Sequence, residues 1–373
     1  MNINKKIASY RGGIIGGAVI LISLNSALFI NLSSLTIYYI SKIIVMFLII
    51  LSLILKRWTK RNVFLFSLVF TIVLSVYNIT RDDGLIFLSS FVFSIGELNI
   101  KKLVRISLIA RLMGVSITFL FFILGFLPHL IYFRGADQRF SLGFIQPNLL
   151  FANIFYIILG LVFLRFGKIK IYEISFYYII SFIFAQISGN RTGFYLMFLF
   201  LTYVLFCSNR DKFLFIVKRN WCVIFFFVSI ALSLMYSPYN NLIALLDAVT
   251  AGRINQANYF LNNFPITLFG NKVTKMYTMV SYTGSVHILD NLYVSLLVQQ
   301  GILITIGVLV SISVMIKKLK NSIPNEKIDN NLIIMLFFIF GMYGLFEKSP
   351  LDISYNIFLL YFSLILKKGN NYD

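Results

Sequence analysis

Charge is what this chain has least of. Only 12% of its residues are charged, while 59% are hydrophobic; a soluble domain carries about 25% charged residues. That imbalance excludes a water-soluble fold, which could not hide so much apolar surface. Cysteine is limited to Cys207 and Cys222. Both fall near span ends on the side assigned below to the cytoplasm, which argues against a disulfide and leaves no partner set for a metal. The P-loop, the HExxH pair, the repeated-Cys zinc pattern and the Gly-rich dinucleotide fingerprint are all missing. Neither a cofactor nor a metal is therefore expected. Also missing is the polar/apolar alternation over about 10 residues that marks a membrane β-barrel.

What is present is a series of long apolar runs, such as Gly12–Asn31, Ser107–Leu127 and Asn220–Met235. Crossing about 30 Å of hydrocarbon takes about 20 apolar residues. In lipid the backbone must satisfy its own hydrogen bonds, so each run reads as a helix. The runs place about twelve spans at 12–31, 35–55, 63–79, 84–97, 106–127, 148–164, 171–187, 193–207, 220–236, 289–316, 331–346 and 350–366. The expected fold is all-α: a polytopic integral membrane protein, residues 1–373 forming a single transmembrane domain. The first run is about 20 residues long, and Asn31 and Ser33 offer no cleavage site, so it reads as a span and not as a removable signal.

The net charge of +20 suggests a nucleic-acid partner only until the cations are placed. Alternate breaks hold clusters such as Lys56, Arg57, Lys60 and Arg61, and that set totals 23 cations. The other set totals 8: Arg81, Arg134, Arg139, Arg191, Arg253, Lys272, Lys275 and Lys348. Cation-rich breaks face the cytoplasm. The basicity is thus a topology signal, no nucleic acid is implied, and both termini are expected on the cytoplasmic side of the cell membrane. Omitting the short fourth span would flip every later loop and destroy the alternation. Lys42 and Arg111 fall inside spans, close enough to an end to snorkel.

The cytoplasmic breaks are short, whereas two outer breaks are long: Pro128–Pro147 and, longest of all, Ser237–Ile288. Loops beyond about 15 residues are usually functional or disordered. The longer one (residues 237–288) contains the apolar stretches Leu242–Val249 and Tyr259–Leu261, so short helices on the membrane surface are expected. Four polar constellations sit on this face. Arg134-Gly-Ala-Asp-Gln-Arg139, followed by Gln146-Pro147-Asn148, puts guanidinium forks where phosphate oxygens could meet them; pairing with Asp137 or lipid head groups is the alternative. Ser188-Gly-Asn-Arg-Thr-Gly193 is a tight polar turn whose Arg191 has no acidic neighbour in sequence. Gly252-Arg253 precedes Phe264-Pro-Ile-Thr-Leu-Phe-Gly270, and Arg253 is either an anion ligand or a solvated loop arginine. His287, Asp290, Asn291 and Tyr293 share one polar face if a helix starts there. His287 can act as a base near neutrality, and Asp290 can if burial raises its pKa; an acid suiting a helix N-terminus is the plainer reading of Asp290.

In this order and on this topology, these patches resemble the family of Wzy-type polysaccharide polymerases and O-antigen ligases. The shared pattern is the Pro147-Asn148 opening of a mid-chain span, the Ser188–Gly193 turn, Gly252-Arg253 with Pro265–Gly270, and Asp290-Asn291-Leu-Tyr293 with Gly301. The likeness covers about residues 140 to 305 and departs at Asp290, where that family often has His. The resemblance implies metal-independent glycosyl transfer at the outer face, from a polyprenyl-diphosphate-linked oligosaccharide to a sugar hydroxyl. Arg191, Arg253, Arg134 and Arg139 would bind the diphosphate; Asp290 or His287 would be the base; Asn291, Tyr293 and Asn148 would position substrate. Besides the lipid bilayer, polysaccharide-export and chain-length proteins are candidate partners. A flippase or transporter, and a ligase of the same superfamily, are the competing readings. Coupled transporters usually carry ionisable residues at mid-membrane, and no acid falls at the middle of a span here.

Overall fold

A computed structural model describes residues 3–32, 35–96, 98–134, 137–207, 220–250, 252–273, 279–280, 286–321 and 327–367. Strand among them is confined to two small antiparallel hairpins, β1 (Ile131–Arg134) with β2 (Asp137–Phe140) and β3 (Met279–Val280) with β4 (Val286–His287). Most of the remainder is helical: α1 (Ile3–Ala27), α2 (Leu35–Ile54), α3 (Lys60–Thr80), α4 (Gly84–Ile95), α5 (Ile100–Ile123), α6 (Pro147–Arg165), α7 (Ile171–Ser188), α8 (Arg191–Cys207), α9 (Trp221–Leu234), α10 (Asn241–Val249), α11 (Arg253–Asn263), α12 (Leu292–Val294), α13 (Ile302–Lys320) and α14 (Lys327–Gly344). Among the described residues, seven helices are long and apolar enough to cross a membrane, and five shorter apolar ones accompany them. The chain is a multi-pass helical membrane protein.

Local sequence sets the helix ends. The side chains of Thr59 and Asn99 accept from the backbone N–H groups of Asn62 and Lys102, capping α3 and α5. Pro147, whose missing N–H is harmless in the first turn, opens α6. Burial then sorts the helices. α6 is 78% buried across its apolar window, whereas α2 and α3 are 22% and 17% buried, so α6 is a central element and the other two present apolar faces outward, as lipid-facing helices do. Around α6 a continuous core runs through α1, α5, α14 and residues 357–366. A smaller core joins Ala257 and Phe260 of α11 to Leu289, Val294 and Val298. It ties the long loop to the bundle.

Three expectations need correction. The tenth span is not one helix. Three α-helical residues run into a π-helical stretch, Ser295–Gln300, and the chain breaks at Gly301 (φ 86°, ψ 170°) before α13. The twelfth is likewise irregular: after a 3-10 turn at Ser349–Leu351 the chain is unwound until a 3-10 helix at Ile357–Leu366. Non-helical backbone at membrane depth survives only where protein or a cavity satisfies it, and here Arg111 does so. Its Nη2 donates to the carbonyls of Ser354 and Tyr355, both at 2.7 Å, and its Nη1 to Asn153 Oδ1 at 3.2 Å. Arg111 is 2% exposed and does not snorkel, whereas Lys42 reaches Asp83, in the break between α3 and α4, at 2.8 Å.

Candidate functional site

The long loop delivers Arg253 by a specific local device. Asp247 lies in α10, and its Oδ1 accepts from the N–H groups of Ile254 and Asn255, both at 2.9 Å, so it caps α11 from the preceding helix. Gly252 makes the link in the left-handed region (φ 79°). Arg253, the first residue of α11, is thereby fixed against the bundle with its side chain only 11% exposed.

From Arg253 a chain of polar contacts crosses four segments. One terminal nitrogen, Nη1, pairs with Asp290 Oδ2, and the other, Nη2, donates to Glu347 Oε1 at 3.2 Å. The same Glu347 oxygen accepts from Asn148 Nδ2 at 3.2 Å. Asn148 Oδ1 in turn accepts from Arg139 Nη2, and Arg139 Nε donates to the carbonyl of Ser188 at 2.7 Å. Two guanidiniums and two carboxylates thus alternate around one asparagine at the loop end of the bundle. Arg253, read from sequence as an anion ligand or a solvated loop arginine, instead holds two acids. The reason lies in the fold: Asp290 precedes α12 and the smaller core brings it beside α11, while Glu347 follows α14, whose end is tied to α12 by the Asn291 and Tyr293 side chains through the Leu345 and Gly341 carbonyls.

The motif glycines have structural work here. Gly189 ends α7 in the left-handed region (φ 65°), and a Cβ there would lie 2.8 Å from Arg139 Nε. A Cβ on Gly193 would strike the Phe151 ring, and the Asn190 side chain accepts from the Gly193 N–H at 2.9 Å. Gly270 (φ 81°) and Gly301 lie backbone against backbone. Around them Asn271 N–H donates to the carbonyl of Val298 at 3.1 Å, and Ile302 N–H to that of Thr267 at 3.0 Å. The loop segment therefore docks along the helix break.

The fourth constellation does not share a helix face. Asn291 is the cap of α12, so His287 and Asp290 come before the helix. Asn291 Oδ1 accepts from the Tyr293 and Val294 N–H groups, and its Nδ2 donates to Ser229 Oγ and the Leu345 carbonyl. Tyr293 is 3% exposed and donates to the Gly341 carbonyl at 2.9 Å. Both residues brace the site from behind. Arg191 opens α8 on an exposed face, two residues past Gly189. The backbone of His287 pairs with Met279; the side chains of His287 and Arg134 lie outside the described residues.

Glu347 was missed from sequence. Its signal is an acid directly after an apolar span, in the short break within Gly344-Leu-Phe-Glu-Lys-Ser-Pro350. Among the described residues no group of three or more His, Cys, Asp or Glu is placed to hold a metal ion. Comparison with protein-family models, curated proteins and solved structures returned no match to this chain.

Proposed function

We propose that this chain is a polysaccharide polymerase with about twelve spans, cytoplasmic termini and its 237–288 loop outside. It moves a growing glycan from polyprenyl diphosphate to a hydroxyl of another lipid-linked repeat unit. The observation that carries this reading is the Arg139–Asn148–Glu347–Arg253–Asp290 chain, assembled from four separate segments at one end of the bundle. In the transfer, the bond from the anomeric carbon to the diphosphate oxygen breaks as the acceptor oxygen bonds that carbon. Arg253 and Arg139, with Arg191 and Arg134 on neighbouring segments, neutralise charge developing on the departing diphosphate. A guanidinium has five N–H donors, so Arg253 can hold its carboxylates and still present donors to an anion. The acceptor proton passes to a carboxylate or imidazole among Asp290, Glu347 and His287.

Deleting the gene and sizing the surface glycan tests this reading. Single repeat units in place of long chains support polymerisation; long but unattached chains point to a ligase, and intracellular lipid-linked units to a flippase. The carrier reading has one observation of its own, the helix broken at Gly301, since discontinuous helices are common at transporter binding sites.

A further inference from the structure

Glu347 and Lys348 are consecutive but serve different neighbours. Glu347 belongs to the arginine chain, whereas Lys348 Nζ donates to Gln299 Oε1 at 3.0 Å. Gln299, 6% exposed, lines a separate cavity of about 220 Å³ to which no member of the arginine chain contributes. Its polar wall is Tyr38 and Lys42 from α2, Asp82 and Asp83 from the turn between α3 and α4, Gln299 from the broken helix, and Asp352 from the unwound segment.

These groups are held in place. Lys42 pairs with Asp83 at 2.8 Å and sits 4.8 Å from the Tyr38 ring centroid. Asp82 Oδ2 accepts from Gln299 Nε2 at 3.2 Å and Gln300 Nε2 at 3.0 Å. Asp352 Oδ1 accepts from Ser354 N–H at 2.8 Å and Ser354 Oγ at 2.6 Å. An ionised carboxylate has about four acceptor sites, so each acid keeps capacity for a further donor. Three carboxylates face one ammonium, with Lys348 set behind Gln299. That balance repels phosphate and other anions. What suits it is a neutral molecule rich in hydroxyl donors, with one apolar face for Tyr38. The volume is below the ~300–1,000 Å³ of pockets for drug-sized ligands and fits one sugar ring.

We propose that this cavity is a subsite for one neutral sugar ring of the lipid-linked substrate, a statement that rests on the glycosyl-transfer reading. Saturation-transfer NMR on the detergent-purified full chain tests it. The probes are methyl glycosides of a neutral hexose, a 6-deoxyhexose, an N-acetylhexosamine and a hexuronic acid. At least one neutral glycoside should bind and the hexuronate should not. Asp82→Asn and Gln299→Ala should each weaken binding about tenfold, the loss of one charge-assisted hydrogen bond, with unchanged elution on size exclusion as the check on folding. Silence from every neutral glycoside, affinity unchanged in both variants, or equal binding of the hexuronate overturns the subsite. Displacement of the glycoside by an oligosaccharide repeat, lipid-free or lipid-linked, supports the subsite, and failure of both forms to displace it overturns it. Binding of bare undecaprenyl diphosphate to the same preparation reports on the arginine chain alone. Arg253→Ala should abolish it, while Asp82→Asn should leave it intact. Diphosphate binding lost with glycoside binding kept sinks the transfer reading; the reverse sinks the subsite.

Discussion

Arg253 Nη2 and Glu347 Oε1 meet at 3.2 Å across ninety-four residues of sequence. The two side chains are 11% and 17% exposed, so the pair is largely withdrawn from water. Stranding one partner of a fully buried pair costs about 3–5 kcal/mol. The cost here should be smaller, because Asp290 still holds Arg253. Glu347→Gln keeps an acceptor for Asn148 but removes a negative charge and a proton acceptor. The expected outcome is a small fall in melting temperature with a loss of polymerisation of about 10²-fold or more. Glycan yield and chain length equal to wild type would leave Glu347 a purely structural role.

Arg253 spans two carboxylates with the two arms of one planar fork. Lysine offers a single charge on a flexible stem and cannot reproduce that geometry. Arg253→Lys should therefore polymerise no better than Arg253→Ala. The base is resolved by a pair of variants. Activity lost in Asp290→Asn but kept in His287→Gln assigns the proton to Asp290, and the opposite result assigns it to His287. Asp290 was expected to need apolar surroundings to serve as a base. Its contact with the Arg253 guanidinium instead favours a role in orienting that arginine, which predicts the second outcome. Normal chains from both variants would leave Glu347 as the proton acceptor, or, if Glu347→Gln is active too, the catalysis to arginine electrostatics and substrate positioning.

Hydrophobic runs carried much of the helical architecture. The five shorter apolar helices in the structure, among them Gly84–Ile95 and Trp221–Leu234, each fall at a run read as a span. The short helices expected in the long loop appear as α10 and α11. What hydropathy cannot show is a helix that stops without leaving the apolar run. Residues 289–316 and 350–366 are continuous by composition, yet Gly301 and the Arg111-bound carbonyls interrupt them. Nor can local sequence pair Arg253 with Glu347 or Lys42 with Asp83, since both contacts arise only when distant helices pack.

Both candidate sites depend on the orientation that the cation asymmetry predicts. A single cysteine at Asn241, in the long loop, should react with a membrane-impermeant maleimide in intact cells. One at Asn325 should react only after the membrane is opened. The reverse pattern would put the arginine chain on the cytoplasmic side, away from any outer lipid-linked glycan, and remove the basis of the polymerase reading.

Gly270 and Gly301 test whether loop docking matters. Both sit at positive φ, and a Cβ on either would collide with the facing backbone. Strain of this kind costs on the order of 1–3 kcal/mol per residue, to which the collision adds. Gly270→Ala and Gly301→Ala should each lower the melting temperature and weaken diphosphate binding through displaced α11. Gly252 also has positive φ but has open space around it, so Gly252→Ala should be the mildest of the three. Equal effects at all three positions would mean that backbone strain alone decides the cost.

Two lysines make the stability pH-dependent in an unusual direction. Lys56 donates to the Phe93 carbonyl near the end of α4; burial pushes its ammonium down to about 8, and the nearby Arg11 pushes the same way. Burial likewise lowers Lys348 to about 8, against the pull of Asp82. In the unfolded chain both titrate near 10.4. Between those values the unfolded state binds more protons than the folded one, so stability rises with pH across the window and the penalty is largest below about 8. The melting temperature in detergent should therefore increase from about pH 8 to about pH 9.5, below the range where ordinary tyrosines ionise. Lys56→Met and Lys348→Met should each flatten the rise, and the double variant should flatten it most. A melting temperature that falls steadily over this window in the wild-type chain would show that neither lysine is held at its depressed value.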